Sequence, residues 1–206
     1  MIGQLLAFSR KQNLQVKLLN IREIISDLAH LLDRLVGEKV NLLLYHGTNL
    51  PMVRADKRQL EQVLMNLVVN ARDAMAEGGD VVIRTQSETF EKAQERESAV
   101  IPAGEYVKIQ VEDFGAGISP EYRQKIFEPF FTTKRTGEGT GLGLSTVYGI
   151  VKQSNGFIFV DSEIGKGTVF EVLIRAVDRR TKQKEQKLIT EVVSPPDPTR
   201  TSRTFG

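Results

Sequence analysis

The chain has 206 residues and a mass of 23.1 kDa, which is room for one domain of ordinary size and not for two independent cores. Hydrophobic residues at 40% and charged residues at 26% exclude a disordered or fibrous chain, and zero cysteines exclude a disulfide framework, a thiolate metal site and a cysteine nucleophile. The net charge of +2 is an asymmetry: from Ala176 onward seven bases face four acids with no aromatic residues among the bases, a pattern that fits a solvated linker better than a nucleic-acid arm.

Met1 to about Val16 reads as a helix with Ile2, Leu5 and Leu6 on one side. No run of eighteen apolar residues occurs, and MIGQLLAFSRKQ lacks the order of a signal peptide, so this segment is expected neither to span a membrane nor to export the chain. So short a helix is marginal alone, and its apolar stripe calls for a partner, as in a helical hairpin. Asn20 then opens an amphipathic helix with Ile21, Ile24, Ile25, Leu28, Leu31, Leu32 and Leu35 at helical spacing, stopped by Gly37. Lys39 to Tyr45 reads as a strand and Asn49-Leu50-Pro51 as a turn. Asp56 and Gln59 form a capping-box pair in front of a long helix that carries Leu60, Val63, Leu64, Leu67, Val68, Ala71, Ala74 and Met75. VVIRTQS follows as a strand running into a charged loop from Glu88 to Ser98. Glu105 to Asp113 alternates, with Val107, Ile109 and Val111 on one face, as a half-buried strand does. Ser119 and Pro120 predict an N-cap and first residue of a short helix to about Ile126. Leu142 to Gln153 is helical, and GFIFVDS and TVFEVLIR are strands joined across Glu163 to Gly167. Beyond Arg175 the periodicity ends in a Pro, Ser and Thr-containing connector. Helices followed by a strand-rich half predict an α/β (α+β) two-layer sandwich, a mixed sheet with helices on one face.

Three groups of residues have chemical potential. Asn66, Asn70 and Asp73 fall at i, i+4 and i+7 of the long helix, on a stripe that continues Gln59 and Gln62. Carboxamide oxygens suit a Mg²⁺ that keeps most of its waters and is otherwise held by phosphates, although the same stripe would also serve as a solvated flank. Asp113-Phe114-Gly115-Ala116-Gly117-Ile118 closes the alternating strand. Its carboxylate can accept from an exocyclic amine beside glycines that admit a flat ring, or it can be an ordinary turn residue. Gly137 to Ser145 places four glycines directly before a helix, where exposed N–H groups and the positive dipole end attract anions, and Lys134 and Arg135 add charge. Phe127, Phe130 and Phe131 just upstream are either core or a handle for a partner helix.

The order of these boxes, QVLMNLVVNARDAM, DFGAGI, IFEPFFTTK and GTGLGLS, resembles the ATP-binding domain of sensor histidine kinases, the superfamily that includes gyrase and the Hsp90 chaperone. The similarity runs from about Ile21 to Ile174, and NARDAM, FEPFFTTK and VDSEIGKGT are similar to the cell-cycle hybrid kinases of alphaproteobacteria. The resemblance implies a Bergerat fold with a Gly-rich ATP lid, and the cofactors ATP and Mg²⁺. It implies that Asp113 recognises the adenine amine with Thr168 nearby through water, that Asn70 holds Mg²⁺ with Asn66 in support, and that Gly141, Leu142 and Gly143 line the phosphates. Lys134 is the expected phosphate contact, with Arg72, Asp73, Gly115, Gly117, Ile118, Thr140 and Leu144 completing the nucleotide site, and Asn66, Asn70 and Lys134 are the expected catalytic set.

The same resemblance divides the chain into 1–18, the end of a dimerisation hairpin that LLAFSRKQ resembles, 19–176, the catalytic domain, and 177–206, a linker toward a receiver domain. It implies a dimer in the full-length protein, a monomer for this segment, a cytoplasmic setting, and partners comprising the hairpin, a receiver and a phosphotransfer protein, with no nucleic acid or membrane contact. Superfamily members that hydrolyse ATP carry a Glu four residues before the Mg²⁺-binding Asn; here Asn66 stands there, and an amide cannot take a proton from water. Transfer to an imidazole is the expectation. His30 and His46 lack the acid that follows the acceptor histidine in these kinases and read as surface residues, so the acceptor is expected on the hairpin.

Overall fold

The computed structural model describes residues 14–134 and 139–177, and contacts divide the chain into two units, 1–176 and 177–206. The expected linker and most of the expected first helix lie outside the described residues. Leu14 to Leu19 is not helical: Val16–Leu19 is a strand, β1, paired antiparallel with a strand the periodicity did not reveal, β3 (Val53–Asp56). Four residues are too few to display a period, and only the pairing makes them a strand.

Helix α1 (Ile21–Val36) begins where the Asn20 side chain accepts from the Arg22 N–H at 3.1 Å, and it ends at Gly37. It buries Ile21, Ile24, Ile25, Leu28, Leu32 and Val36, whereas Leu31, expected in the stripe, faces solvent. Strand β2 (Val40–His46) leads through β3 into α2 (Lys57–Ala74). Asp56 caps α2 by accepting from Arg58 N at 2.9 Å, and its other oxygen accepts from Gln15 N at 2.7 Å, so one carboxylate starts the helix and pins β1. The reciprocal half of the expected capping box is not made: Gln59 donates instead to Gln153 on α3 (Gly143–Gln153) at 2.9 Å. A side chain able to reach a tertiary partner has left its local one.

The sheet contains β2, β4 (Gly79–Phe90), β7 (Gly104–Asp113), β9 (Gly167–Arg175) and β8 (Phe157–Glu163), in that order. β2 and β4 are parallel and every other pair is antiparallel. The mixed α/β sandwich is thus as expected, with α2 at the centre, against α1, α3 and the sheet. Val107, Ile109 and Val111 of β7 and Phe170, Val172 and Ile174 of β9 face this helical layer.

The opposite face is not bare. The expected loop from Glu88 to Ser98 is in fact the end of β4, and then the start of a hairpin of β5 (Gln94–Arg96) and β6 (Ala99–Ile101). Ile101 packs with Tyr106, Phe159 and Leu173 in a second small core, and Tyr106 Oη donates to Pro102 O at 3.0 Å. Its charged composition reads as a loop because its polar groups pair across the sheet: Arg96 bridges to Glu171, whose other oxygen accepts from Gln110 at 3.2 Å. The short helix expected from Ser119 is a run of turns instead. Tyr122 and Ile126 make turn bonds to Ser119 O and Tyr122 O, while the Ser119 hydroxyl donates to Glu121 rather than capping.

Candidate functional site

A cavity of about 1030 Å³ opens between one flank of α2, the C-terminal end of β7, the segments between β7 and α3, and the β8–β9 turn. The helical period of α2 puts Asn66, Asn70 and Asp73 along its wall, as the i, i+4, i+7 spacing predicts. Asp113, Gly117, Ile118, Lys134, Thr140, Gly141, Gly143, Leu144 and Thr168 join them, with Arg72 at the margin. Two expected members do not line it. Gly115 packs so near Ala74 O that a Cβ would lie 2.3 Å away, and its N–H donates to Asp113 Oδ1 at 2.9 Å. Leu142 precedes α3, and its carbonyl accepts from Ser145 and Thr146.

At the sheet end the wall is rigid and enclosed. Asp113 and Thr168 are cross-strand partners on β7 and β9, 4% and 3% exposed. Burial raises the Asp113 pKa, against the opposing pull of N–H bonds from Gly115 and Thr168. The DFGAGI loop and the β8–β9 turn interlock around it. Gly165 N donates to Ala116 O at 2.8 Å, and Gly117, at φ 71, passes so near Glu163 O that a Cβ would sit 2.1 Å from it. Ser162, to which the sequence reading gave no role, bonds at once to Ile118 N, Gly167 O and the Thr168 hydroxyl. Its sequence signals are a place within VDSEIGKGT and a polar residue on the inward face of an apolar strand.

The lid end is held by charge. Asp73 accepts from Lys134 Nζ at 2.5 Å and from Arg72 at 2.6 Å, and Arg72 also donates to Leu35 O at 2.8 Å. Burial penalises the Asp73 carboxylate, but the hydrogen bonds and charges of Lys134 and Arg72 win and its pKa is lowered. Phe130 N donates to Gly141 O at 2.9 Å, and Gly141, at φ 65, lies where a Cβ would be 2.4 Å from Phe130 C. This clasp splits the phenylalanine cluster. Phe127 packs on Tyr148 and Phe170, Phe131 packs on Tyr122 and lines the cavity, and Phe130 alone of the three stands out, 67% exposed. Arg135 lies outside the described residues.

Among the described residues no three His, Asp or Glu side chains cluster as a metal site. Asn70 Nδ2 is buried on the wall without a hydrogen-bond partner, while Asn66 Nδ2 donates to Gly143 O at 3.3 Å. An unpartnered amide beside the cavity fits a ligand that brings its own partners, and turning it presents oxygen to a cation completed by phosphate and water. Neither histidine lines the cavity. His30 is exposed, but His46 is only half so: its Nδ1 bonds Thr85 Oγ1 at 3.0 Å, and desolvation, then Arg22, lower its pKa.

The chain is 48% identical over 195 residues to the sensor kinase CckA of Brucella abortus (strain 2308), covering 91% of this chain and 21% of that protein. It therefore spans about a fifth of that relative's length. Full-length ShkA, crystallised in complex with AMPPNP, superposes with a TM-score of 0.63 at 27% identity over 80% of this chain and 32% of that one. The nucleotide-free catalytic domain of the histidine kinase ThkA gives 0.57 at 28% identity over 79% and 96%. Residues 55–178 match the family described as histidine kinase-, DNA gyrase B-, and HSP90-like ATPase, and with its relatives among the sensor histidine kinases the chain belongs to that family.

Proposed function

We propose that this chain is the catalytic domain of a hybrid histidine kinase, binding ATP with its base at Asp113 and delivering the γ-phosphoryl group to a histidine on a dimerisation hairpin. The observation that carries transfer over hydrolysis is the state of the cavity's carboxylates. Among the described lining residues these are Asp73 and Asp113 alone. Asp73 is tied by two Arg72 N–H bonds that do not depend on Lys134, Asp113 is buried at the sheet end, and Asn66 cannot act as a base. Among the described lining residues water thus finds no free carboxylate to activate it, which favours a nucleophile that needs no such help.

In this reading Asp113 orients the purine, Gly141 and Gly143 N–H groups approach the phosphates at the start of α3, and Lys134 leaves Asp73 to neutralise phosphate oxygens. Asn70, with Asn66 behind it, would hold a Mg²⁺ whose charge offsets that of the phosphates. The bond from the γ-phosphorus to its bridging oxygen breaks with its electron pair passing to ADP as an imidazole nitrogen bonds to phosphorus. Positioning and charge supply the catalysis. Phe130 is the hydrophobic contact for the hairpin helix, the residues before β1 are that hairpin's end, and residues 177–206 lead to a receiver that passes the phosphoryl group to phosphotransfer proteins. The full-length kinase is a cytoplasmically acting dimer and this segment a monomer. Among the described residues, no helix is long and apolar enough to cross a membrane.

The test supplies the separated hairpin together with labelled ATP. Phosphohistidine on the hairpin is expected, and slow phosphate release without it. Vigorous hydrolysis by the chain alone, lost in Asn66→Ala, would instead mark an ATP-driven conformational switch; binding with no transfer would mark a nucleotide sensor.

A further inference from the structure

The Ser162 hydroxyl has three partners and one proton. Ile118 N–H donates to it at 2.8 Å, so one lone pair is taken. Gly167 O lies at 2.9 Å, and a carbonyl can only accept, so the single Ser162 proton goes there. The remaining contact, 2.9 Å to Thr168 Oγ1, must then be donated by Thr168. Its own proton being spent on Ser162, Thr168 has only lone pairs left for the cavity it lines. Both hydroxyls are buried, at 4% and 3% exposure, so bulk water is not at hand to reorder them. Beside them is Asp113, the strand partner of Thr168, also an acceptor.

We infer that Ser162 is a specificity-determining positioning residue: by taking the Thr168 proton it makes the sheet end of the cavity an all-acceptor wall, which admits a 6-amino purine and rejects a 6-oxo purine. This rests on the assignment of the base to Asp113. An exocyclic amine brings N–H donors to these acceptors, directly or through a water, whereas a 6-oxo group brings lone pairs against lone pairs, and the N1–H of the 6-oxo purine can meet only one of the two.

The experiment measures Kd for ATP and for inosine triphosphate by calorimetry on the same preparations of wild type, Ser162→Ala, Thr168→Val, the double variant and Asp113→Asn. Ser162→Ala frees the Thr168 proton to point at a 6-oxo group, so the ATP-to-inosine preference should shrink by about tenfold, one hydrogen-bond mismatch. In the Thr168→Val background the same change should alter the ratio no further. A wild-type preference that Asp113→Asn reduces but Ser162→Ala leaves intact overturns the role of Ser162 alone. A wild type with no preference, or one indifferent to Asp113→Asn, overturns it together with the placement of the base. Should Ser162→Ala fail to fold, neutron diffraction on the wild type decides: deuterium on the line from Thr168 to Ser162 supports the inference, and deuterium directed into the cavity refutes it.

Discussion

The two ends of the cavity are built on opposite principles. The sheet end is a backbone interlock: Gly117 against Glu163, Gly165 N on Ala116 O, and Ser162 joining β8, β9 and the DFGAGI loop. The lid end is a side-chain latch, Lys134 on Asp73, backed by one clasp between Phe130 and Gly141. Backbone packed on backbone has a single geometry, while an ion pair near the surface contributes little and exchanges partners easily. A base that must be recognised the same way each time suits the first, and a phosphate tail that has to enter, react and leave suits the second.

Equivalent disturbances should therefore differ in size. Gly117→Ala forces a Cβ into a positive φ and to 2.1 Å from Glu163 O, and should destabilise the fold by about 3 kcal/mol in urea denaturation. Gly139→Ala at the lid meets only the side-chain atoms of Thr132 and Lys134, the nearest at 3.0 Å, and should leave the midpoint unchanged within error. Equal losses would erase the distinction. Next in magnitude, Asp113→Asn should weaken ATP binding by about 1–3 kcal/mol in a calorimetric titration, the cost of a mismatched buried donor.

Asp73→Asn, by contrast, should cost about 0.5–1 kcal/mol of stability, since the bridge is partly solvated. Its signature should be faster hydrogen exchange across residues 131–134 and 139–141 without nucleotide, with protection restored by ATP once phosphate takes over Lys134. Exchange unchanged from wild type would show that the latch does not hold the lid.

Titration sharpens the contrast further, because the two carboxylates shift in opposite senses from an ordinary 3.8. For Asp113 the folded state keeps its proton longer than the unfolded chain does. Its contribution to stability is full below 3.8 and is lost as pH rises through the higher folded value. For Asp73 the contribution is full above 3.8 and is lost as pH falls through the lower folded value. Carboxyl NMR should find Asp113 protonating first on acidification. Denaturation curves should lose one pH-dependent segment in Asp113→Asn and the other in Asp73→Asn; a shared segment would contradict the separation.

Much was legible along the chain because it is governed by neighbours. The caps at Asn20 and Asp56, the stripe from Leu60 to Met75, the alternation from Glu105 to Asp113 and the spacing of Asn66, Asn70 and Asp73 depend on helical and strand periods alone. Those periods determined the sandwich, and the ordered boxes determined the family. Only the tertiary structure decided which polar groups meet. Lys134 finds Asp73 across 61 positions, Gln59 abandons its capping role for Gln153 across 94, and the charged run after Glu88 becomes a strand and hairpin because its partners lie on the far side of the sheet. A hydrogen bond or ion pair has no periodicity to display in advance; its partner is chosen by the packing that brings distant segments together, and Ser162 acquires its meaning only there.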